Sequence, residues 1–317
     1  MSIWTTVLLF LLGLVLIIKG GDWFLDGAVW MAEATGVPRF IIGATIVSLV
    51  TTLPELTVSV TGVLQGEVDL AVGNAVGSVT ANLGLILGLS VLCIPAAVVK
   101  QQFHGKALLM AAGAVLLTLL CQGGSLALAP SLLLFVLFAL YLGNNVLDAR
   151  HSVRANRERP KRRTVTHRQM LEKLLAFALG ITAIIIGSRL LIDYGSTLAL
   201  QLGVPASVIG VTMVAIGTSL PELVTTVTAI LKRESSMSVG NIIGANVIDL
   251  TLILPVCSAV SGGRLTIGQQ TTMLDLPFCL GLCLLSVVPP LVTGKFYRWQ
   301  GIAMLGIYGA YVALLVL

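Results

Sequence analysis

The chain alternates long apolar stretches with short polar breaks, and the stretches have the length of membrane helices. Runs such as Ala107–Leu120 and Leu132–Leu142 carry no charge and show no strict alternation. An outer-membrane strand instead alternates apolar and polar residues over about ten positions. A helix needs about 20 mostly apolar residues to cross a bilayer. The pattern predicts ten such spans, near 3–34, 39–64, 69–97, 106–121, 125–147, 171–200, 206–231, 236–260, 272–293 and 297–317. The first run, Val7–Ile18, has no Lys or Arg before it and no convincing cleavage site after it, so it too is expected to be a membrane helix.

Composition sharpens this to an all-α polytopic membrane protein. Of 317 residues, 56% are hydrophobic and 10% charged, whereas soluble domains carry about 25% charged residues. The same figures exclude a disordered chain. A net charge of +5 would point to nucleic acid if it formed a patch on a soluble domain. Here the basic residues collect in loops, so no nucleic-acid partner is expected. Cys93, Cys121, Cys257, Cys279 and Cys283 all lie in apolar runs without a CxxC motif. They are expected to be packing residues.

Charge also orients the chain. Ten spans place both termini on one side and the central segment, 148–170, on the other. That segment holds Arg150, Arg154, Arg157, Arg159, Lys161, Arg162, Arg163 and Arg168, which by the positive-inside rule makes it cytoplasmic. Arg39, Lys100, Lys106, Lys173, Lys232, Arg233, Lys295 and Arg298 fall on the same predicted side. Only Arg264 is expected outside, while Lys19 and Arg189 lie within spans. The expected location is the plasma (bacterial inner) membrane, with both termini extracellular or periplasmic.

The sequence matches itself at an offset of 167 residues. Gly13, Gly20 and Asp26 recur as Gly180, Gly187 and Asp193, and Gly36-Val37-Pro38 recurs as Gly203-Val204-Pro205. Leu53-Pro54-Glu55-Leu56 recurs as Leu220-Pro221-Glu222-Leu223, and Val72-Gly73-Asn74 with Gly77 as Val239-Gly240-Asn241 with Gly244. The chain thus divides into a five-helix unit at 1–147, a basic linker at 148–170 and a second five-helix unit at 171–317. Because five is odd, the second unit enters from the opposite side, giving inverted repeats. Secondary transporters use this plan, with the substrate site at the repeat interface near the bilayer midplane.

Within the repeats, Glu55, Glu222 and Asp249 lie deep in apolar runs. An ionised carboxylate there costs at least about 2.5–3.5 kcal/mol, and no buried base stands ready for each. A cation is the natural counter-charge. Pro54 and Pro221 each remove an N–H and oppose the carbonyl four residues earlier, that of Val50 or Gly217. These precede Thr51-Thr52 and Thr218-Ser219. Carbonyl, hydroxyl and carboxylate oxygens suit Ca²⁺, which takes about 6–8 of them, and also Na⁺. The lack of His and Cys disfavours zinc or copper. Gly73, Gly77, Gly240 and Gly244 form two Gly-xxx-Gly pairs that permit close helix approach.

The segments 50–55 with 73–82, and 217–222 with 240–249, resemble the α-repeats of the calcium/cation antiporter superfamily, in particular its sodium/calcium exchanger branch. The family pattern is close to G-T-S-x-P-E followed by G-N-x-x-G-S-N-x-x-N/D. The resemblance implies a ten-helix exchanger in which helices 2, 3, 7 and 8 enclose the ions and helices 1 and 6 slide past them. It further implies that Glu55 and Glu222 bind calcium, and that Thr51, Thr52, Thr218, Ser219 and Ser78 supply hydroxyl or backbone ligands. Asn82 and Asp249 become the polar pair facing the centre. Val50, Val79, Ser48 and Ala245 depart from the pattern. At Ala245, a hydroxyl that serves a sodium site in the family is absent.

Charge counting favours obligatory exchange. Three carboxylates are neutralised by three Na⁺, or by Ca²⁺ with one H⁺ or K⁺, whereas an empty site carries uncompensated buried charge. Exchange of Ca²⁺ against Na⁺ is the expected function, and H⁺/Ca²⁺ exchange the alternative. No cofactor is expected beyond the transported ions, and the partners are the lipid bilayer and inorganic cations. One chain holds both repeats, so a monomer suffices. An intramembrane enzyme would need a second catalytic constellation, and His104, His151 and His167 all lie in predicted loops. A passive channel would not need a counter-ion.

Overall fold

The structure, a computed structural model, describes residues 3–94, 100–157, 167–201 and 219–316. The helices among them are α1 Ile3–Thr35, α2 Arg39–Leu64, α3 Val68–Cys93, α4 Lys100–Cys121, α5 Leu128–Arg157 and α6 His167–Gln201. They continue as α7 Leu220–Leu231, α8 Ser235–Val260, α9 Thr271–Thr293 and α10 Arg298–Val316. Eight are long and apolar enough to cross a membrane, and Leu220–Leu231 is a shorter apolar helix. The first part of the seventh expected span, with Thr218 and the match at Gly203–Pro205, lies outside the described residues.

The protein is a polytopic helical membrane protein, with large apolar side chains exposed on its outside and carboxylates and carboxamides buried within an apolar core. Trp4, Leu8, Leu64, Leu231 and Val292 are among the large apolar side chains left exposed, while Glu55, Asn82, Glu222, Asn246 and Asp249 are buried. A protein folded in water almost never buries carboxylates in this way unless they are paired.

Three details differ from the sequence expectation. The fourth helix begins at Lys100 instead of 106. The fifth and sixth continue into the basic segment, to Arg157 and from His167. Hydropathy marks where a helix leaves the apolar layer, but the backbone keeps coiling while no Gly or Pro intervenes, and the first such residue after Gly143 is Pro160. Residues 125–127, expected to open the fifth helix, instead form a strand, β1 Ser125–Ala127. It pairs antiparallel with β2 Arg264–Thr266. Gly124, Gly262 and Gly263, at φ 67°, 85° and 98°, make the reversals that a residue with a Cβ resists. Leu126 and Leu265 bury the centre of the pair.

The polar contacts sort the connections by end. Arg39 pairs with Glu234 at 2.6 Å and with Glu33 at 3.1 Å. Lys232 reaches Asp26 at 2.8 Å and Asp22 at 3.1 Å. The buried Lys106 pairs with Asp148 and sits 5.8 Å from the Phe40 ring centroid. The α1–α2 and α7–α8 connections, the Lys106 turn of α4 and the Asp148 turn of α5 therefore lie together. The strand pair ties α4–α5 to α8–α9 at another site. Asp148→Ala strands the buried Lys106 ammonium, at a cost below the ~3–5 kcal/mol of a fully buried pair because Asp148 is itself partly exposed. Thermal unfolding of the purified variant should start several degrees lower, whereas Lys106→Met should lose less. An unchanged melting temperature in Asp148→Ala would discount the pair.

Glycines set the closest helix contacts. In the α1–α6 seam, Gly13 faces Gly187 and Gly20 faces Gly180, so these helices run antiparallel. A Cβ on Gly20 would lie 2.9 Å from the Gly180 carbonyl oxygen. Phe24 stacks on Phe177 at 4.7 Å along the same seam. Between α2 and α8, a Cβ on Gly240 would collide with the Phe40 carbonyl oxygen, and one on Gly244 would lie 2.9 Å from the Ala44 Cα. This seam joins the two halves of the chain where both candidate segments run.

Candidate functional site

The local structure around the candidate residues recurs with the sequence. In α2 the helix breaks for one residue at Thr52 (φ −83°, ψ −5°) and resumes at Leu53 with Pro54 in its first turn. At the start of α7, Ser219 (φ −85°, ψ 3°) precedes Leu220 and Pro221 in the same way. The proline effect is thus narrower than full unwinding. Pro54 offers no N–H to the Val50 carbonyl, and the hydroxyls of Thr51 and Thr52 turn back to the Ser48 carbonyl at 3.4 and 2.7 Å. The break places Glu55 and Glu222 in the first turns of the resumed helices, where the positive dipole end favours a carboxylate.

α3 and α8 each change pitch at their candidate residue. Asn82 begins a π-helical stretch, Asn82–Leu87, and Asp249 begins another, Asp249–Ile253. Such wide turns are uncommon and concentrate at functional sites. A third, Gly43–Val47, lies in α2, where Tyr141 of α5 donates a hydrogen bond to the Ala44 carbonyl.

Every described candidate is buried, none more than 3% exposed: Thr51, Thr52, Glu55, Ser78, Asn82, Ser219, Glu222 and Asp249. Thr218 lies outside the described residues. Glu55, Glu222 and Asp249 lie within electrostatic reach of one another. They do not form a closed cage, because no three Asp, Glu, His or Cys side chains among the described residues stand together as a metal-holding group. Further oxygens must come from neutral groups. The Thr51 hydroxyl lies beside the Glu222 carboxylate.

The unmatched atoms define the site's chemistry. Both carboxylate oxygens of Glu55, Glu222 and Asp249, and Oδ1 of Asn82, are buried without a well-formed hydrogen bond. The hydroxyls of Ser219 and Thr226 and Nδ2 of Asn246 share that condition. Buried polar atoms in native proteins almost always have partners. A cluster dominated by acceptors calls for something positive.

Two asparagines outside the predicted set brace this arrangement. Asn74 Nδ2 donates to the Glu55 carbonyl at 3.1 Å and to Ser59 Oγ at 2.9 Å. Its repeat equivalent, Asn241, donates to Thr225 Oγ1 at 3.2 Å and accepts from Thr51 Oγ1 at 3.4 Å. Thr225 in turn donates to the Glu222 carbonyl at 3.0 Å. The signal was visible, since Gly-Asn recurs at 73–74 and 240–241, but an asparagine holding a backbone looks in sequence like one holding an ion. Asn246, which accepts from Asn82 Nδ2 at 3.2 Å, was also absent from the predicted set. Its equivalent in the first repeat is Val79, so the repeat gave it no support. The Gly-xxx-Gly prediction holds for Gly240 and Gly244, which abut α2. For Gly73 and Gly77, no described atom lies within 4 Å of an added Cβ.

Comparison with known proteins gives a consistent result. The sodium/calcium exchanger protein family matches over residues 5–147 and 173–317. An uncharacterized membrane protein of Methanocaldococcus jannaschii is 31% identical over 305 residues, covering 94% of each chain. The sodium/calcium exchanger MaX1 of Methanosarcina acetivorans is 28% identical, covering 97% of each. A solved structure of the sodium-calcium exchanger NCX_Mj, soaked with Na⁺ and Sr²⁺, superposes with a TM-score of 0.84 at 29% identity. That match covers 98% of this chain and 99% of the other.

Proposed function

The chain belongs to the sodium/calcium exchanger family, and from that premise we propose that it exchanges Ca²⁺ for Na⁺ at a midplane site built on Glu55, Glu222 and Asp249. Membership makes it a cation/Ca²⁺ exchanger of the membrane, that is, a transporter. The finer reading adds Thr51, Thr52, Thr218, Ser219, Ser78 and Asn82 as neutral oxygen donors. The observation that carries it is the set of buried, unpartnered oxygens on Glu55, Glu222, Asp249 and Asn82.

The mechanism follows from charge. Three ionised carboxylates attract Ca²⁺ strongly but leave one negative charge, which a monovalent ion completes. Three Na⁺ fill the same deficit. Only an occupied site can reorient, because an empty one would carry repelling charges through a poorly solvated, occluded state. Binding on one side and release on the other then requires exchange. No resident cofactor takes part, one chain in the lipid bilayer is sufficient, and segment 148–170 faces the cytoplasm.

The second reading, H⁺/Ca²⁺ exchange, is favoured by Ala245, which is fully buried and offers no hydroxyl where the family pattern has serine. A proton needs only a carboxylate, whereas Na⁺ needs a shell of oxygens. Reconstituted vesicles distinguish the two. With internal Na⁺ and no pH gradient, radioactive calcium should accumulate and be released by external Na⁺. Uptake that follows an imposed pH gradient in Na⁺-free buffer, and ignores Na⁺, would overturn sodium coupling. Adding K⁺ to one side at a time tests whether it supplies the third charge.

A further inference from the structure

Asn82 is a buried carboxamide whose two polar ends are treated differently. Its Nδ2 donates to the neutral Oδ1 of Asn246, at 3.2 Å. Both side chains are buried, at 1% and 0% exposure. With Nδ2 engaged, Oδ1 of Asn82 is left with no donor. The opposite flip would put an N–H of Asn246 on that oxygen and remove it from any ion.

The two repeats differ here. The counterpart of Asn82 is Asp249, and the counterpart of Asn246 is Val79, a fully buried residue with no polar side-chain atom. The mirrored contact, Asp249 with Val79, cannot hold a hydrogen bond. Only one of the two centre-facing polar residues is therefore tethered across the repeat interface, and it is the uncharged one. A carboxylate needs no such help, because both of its oxygens are acceptors in any orientation. A carboxamide does.

We infer that Asn246 is a positioning residue for cation binding. It fixes the Asn82 carboxamide so that the oxygen, and not the nitrogen, is offered to the transported ion. Val79 has no equivalent task because Asp249 cannot be presented the wrong way round. This rests on the carboxylate-site reading above and adds to it a residue that touches no ion.

The test is a double-mutant cycle in reconstituted vesicles, reading half-saturating calcium and maximal uptake separately. Asn246→Val, which copies the first repeat, should raise half-saturating calcium about tenfold, the size of one lost hydrogen bond, with maximal uptake per folded protein retained. Asn82→Ala should raise half-saturating calcium by at least as much. In the Asn82→Ala background, Asn246→Val should add little, because both act through one oxygen. Asn246→Asp keeps an acceptor of the same shape but adds a negative charge, so it should impair calcium binding clearly less than valine without fully restoring it. It also supplies the measurement if the valine variant does not fold. Full additivity of the two variants overturns the inference, as does equal impairment by Asp and Val. So does an unchanged Asn246→Val beside an impaired Asn82→Ala. Glu222→Gln, measured in parallel, separates the two levels. If it transports normally, the carboxylate site itself is wrong; if it is inactive while the asparagine variants are unaffected, only the role of Asn246 falls.

Discussion

Glu222→Gln, and Glu55→Gln separately, should abolish calcium uptake in sodium-loaded vesicles while leaving the protein folded and inserted. Glutamine has the shape of glutamate and keeps one oxygen, so packing changes little. What disappears is one of three negative charges that hold a divalent ion in a poorly solvated interior, and with it the balance that makes exchange obligatory. Stability should move the other way in calcium-free buffer. Removing an unpaired buried carboxylate relieves a penalty, so the variants should melt at or above the temperature of the unaltered protein. Stabilisation by calcium should vanish; a ligand at a hundred times its dissociation constant contributes about 2.7 kcal/mol. Uptake at the normal rate by either variant would refute the assignment.

Much of this site was legible in the sequence because the physics that reveals it is local. A carboxylate in an apolar run is conspicuous in any sequence, and the offset of 167 paired Glu55 with Glu222 and Asp249 with Asn82. The helix breaks were also legible, since proline acts on a carbonyl four residues away. Their extent was not. Whether the backbone unwinds or merely kinks depends on what holds the turn around the freed Val50 carbonyl; here the Thr52 N–H and the Thr51 and Thr52 hydroxyls all return to the Ser48 carbonyl, and the helix resumes at Leu53. The π-helical stretches at Asn82 and Asp249 leave no mark in propensity, because they arise from packing between helices distant in sequence. The strand pair escaped for a similar reason: three residues are too few to show a period, and their partner lies at 264–266. Asn74 and Asn241 stood inside the quoted motif, yet only coordinates separate an amide that braces a backbone from one that meets an ion.

The largest structural effect should come from Gly240→Ala. The added methyl would collide with the Phe40 carbonyl oxygen, lie 3.0 Å from the Phe40 carbonyl carbon and 3.2 Å from the Ala44 amide nitrogen. All three are backbone atoms, so no side chain can rotate away and α2 must move as a unit. Overpacking of this kind costs about 1–3 kcal/mol and occasionally more, and a rigid-backbone clash belongs at the upper end. Because α2 carries Glu55 and α8 carries Asp249, the displacement should also spread the carboxylates and weaken calcium binding. Gly281→Ala is the matched control, for it sits on the exposed side of α9 with nothing described within 4 Å of its Cβ. There alanine should stabilise by up to about 1 kcal/mol through helix propensity alone. Thermal unfolding and calcium affinity measured on both variants decide the matter, and equal behaviour would show that the α2–α8 contact does not set the site's geometry.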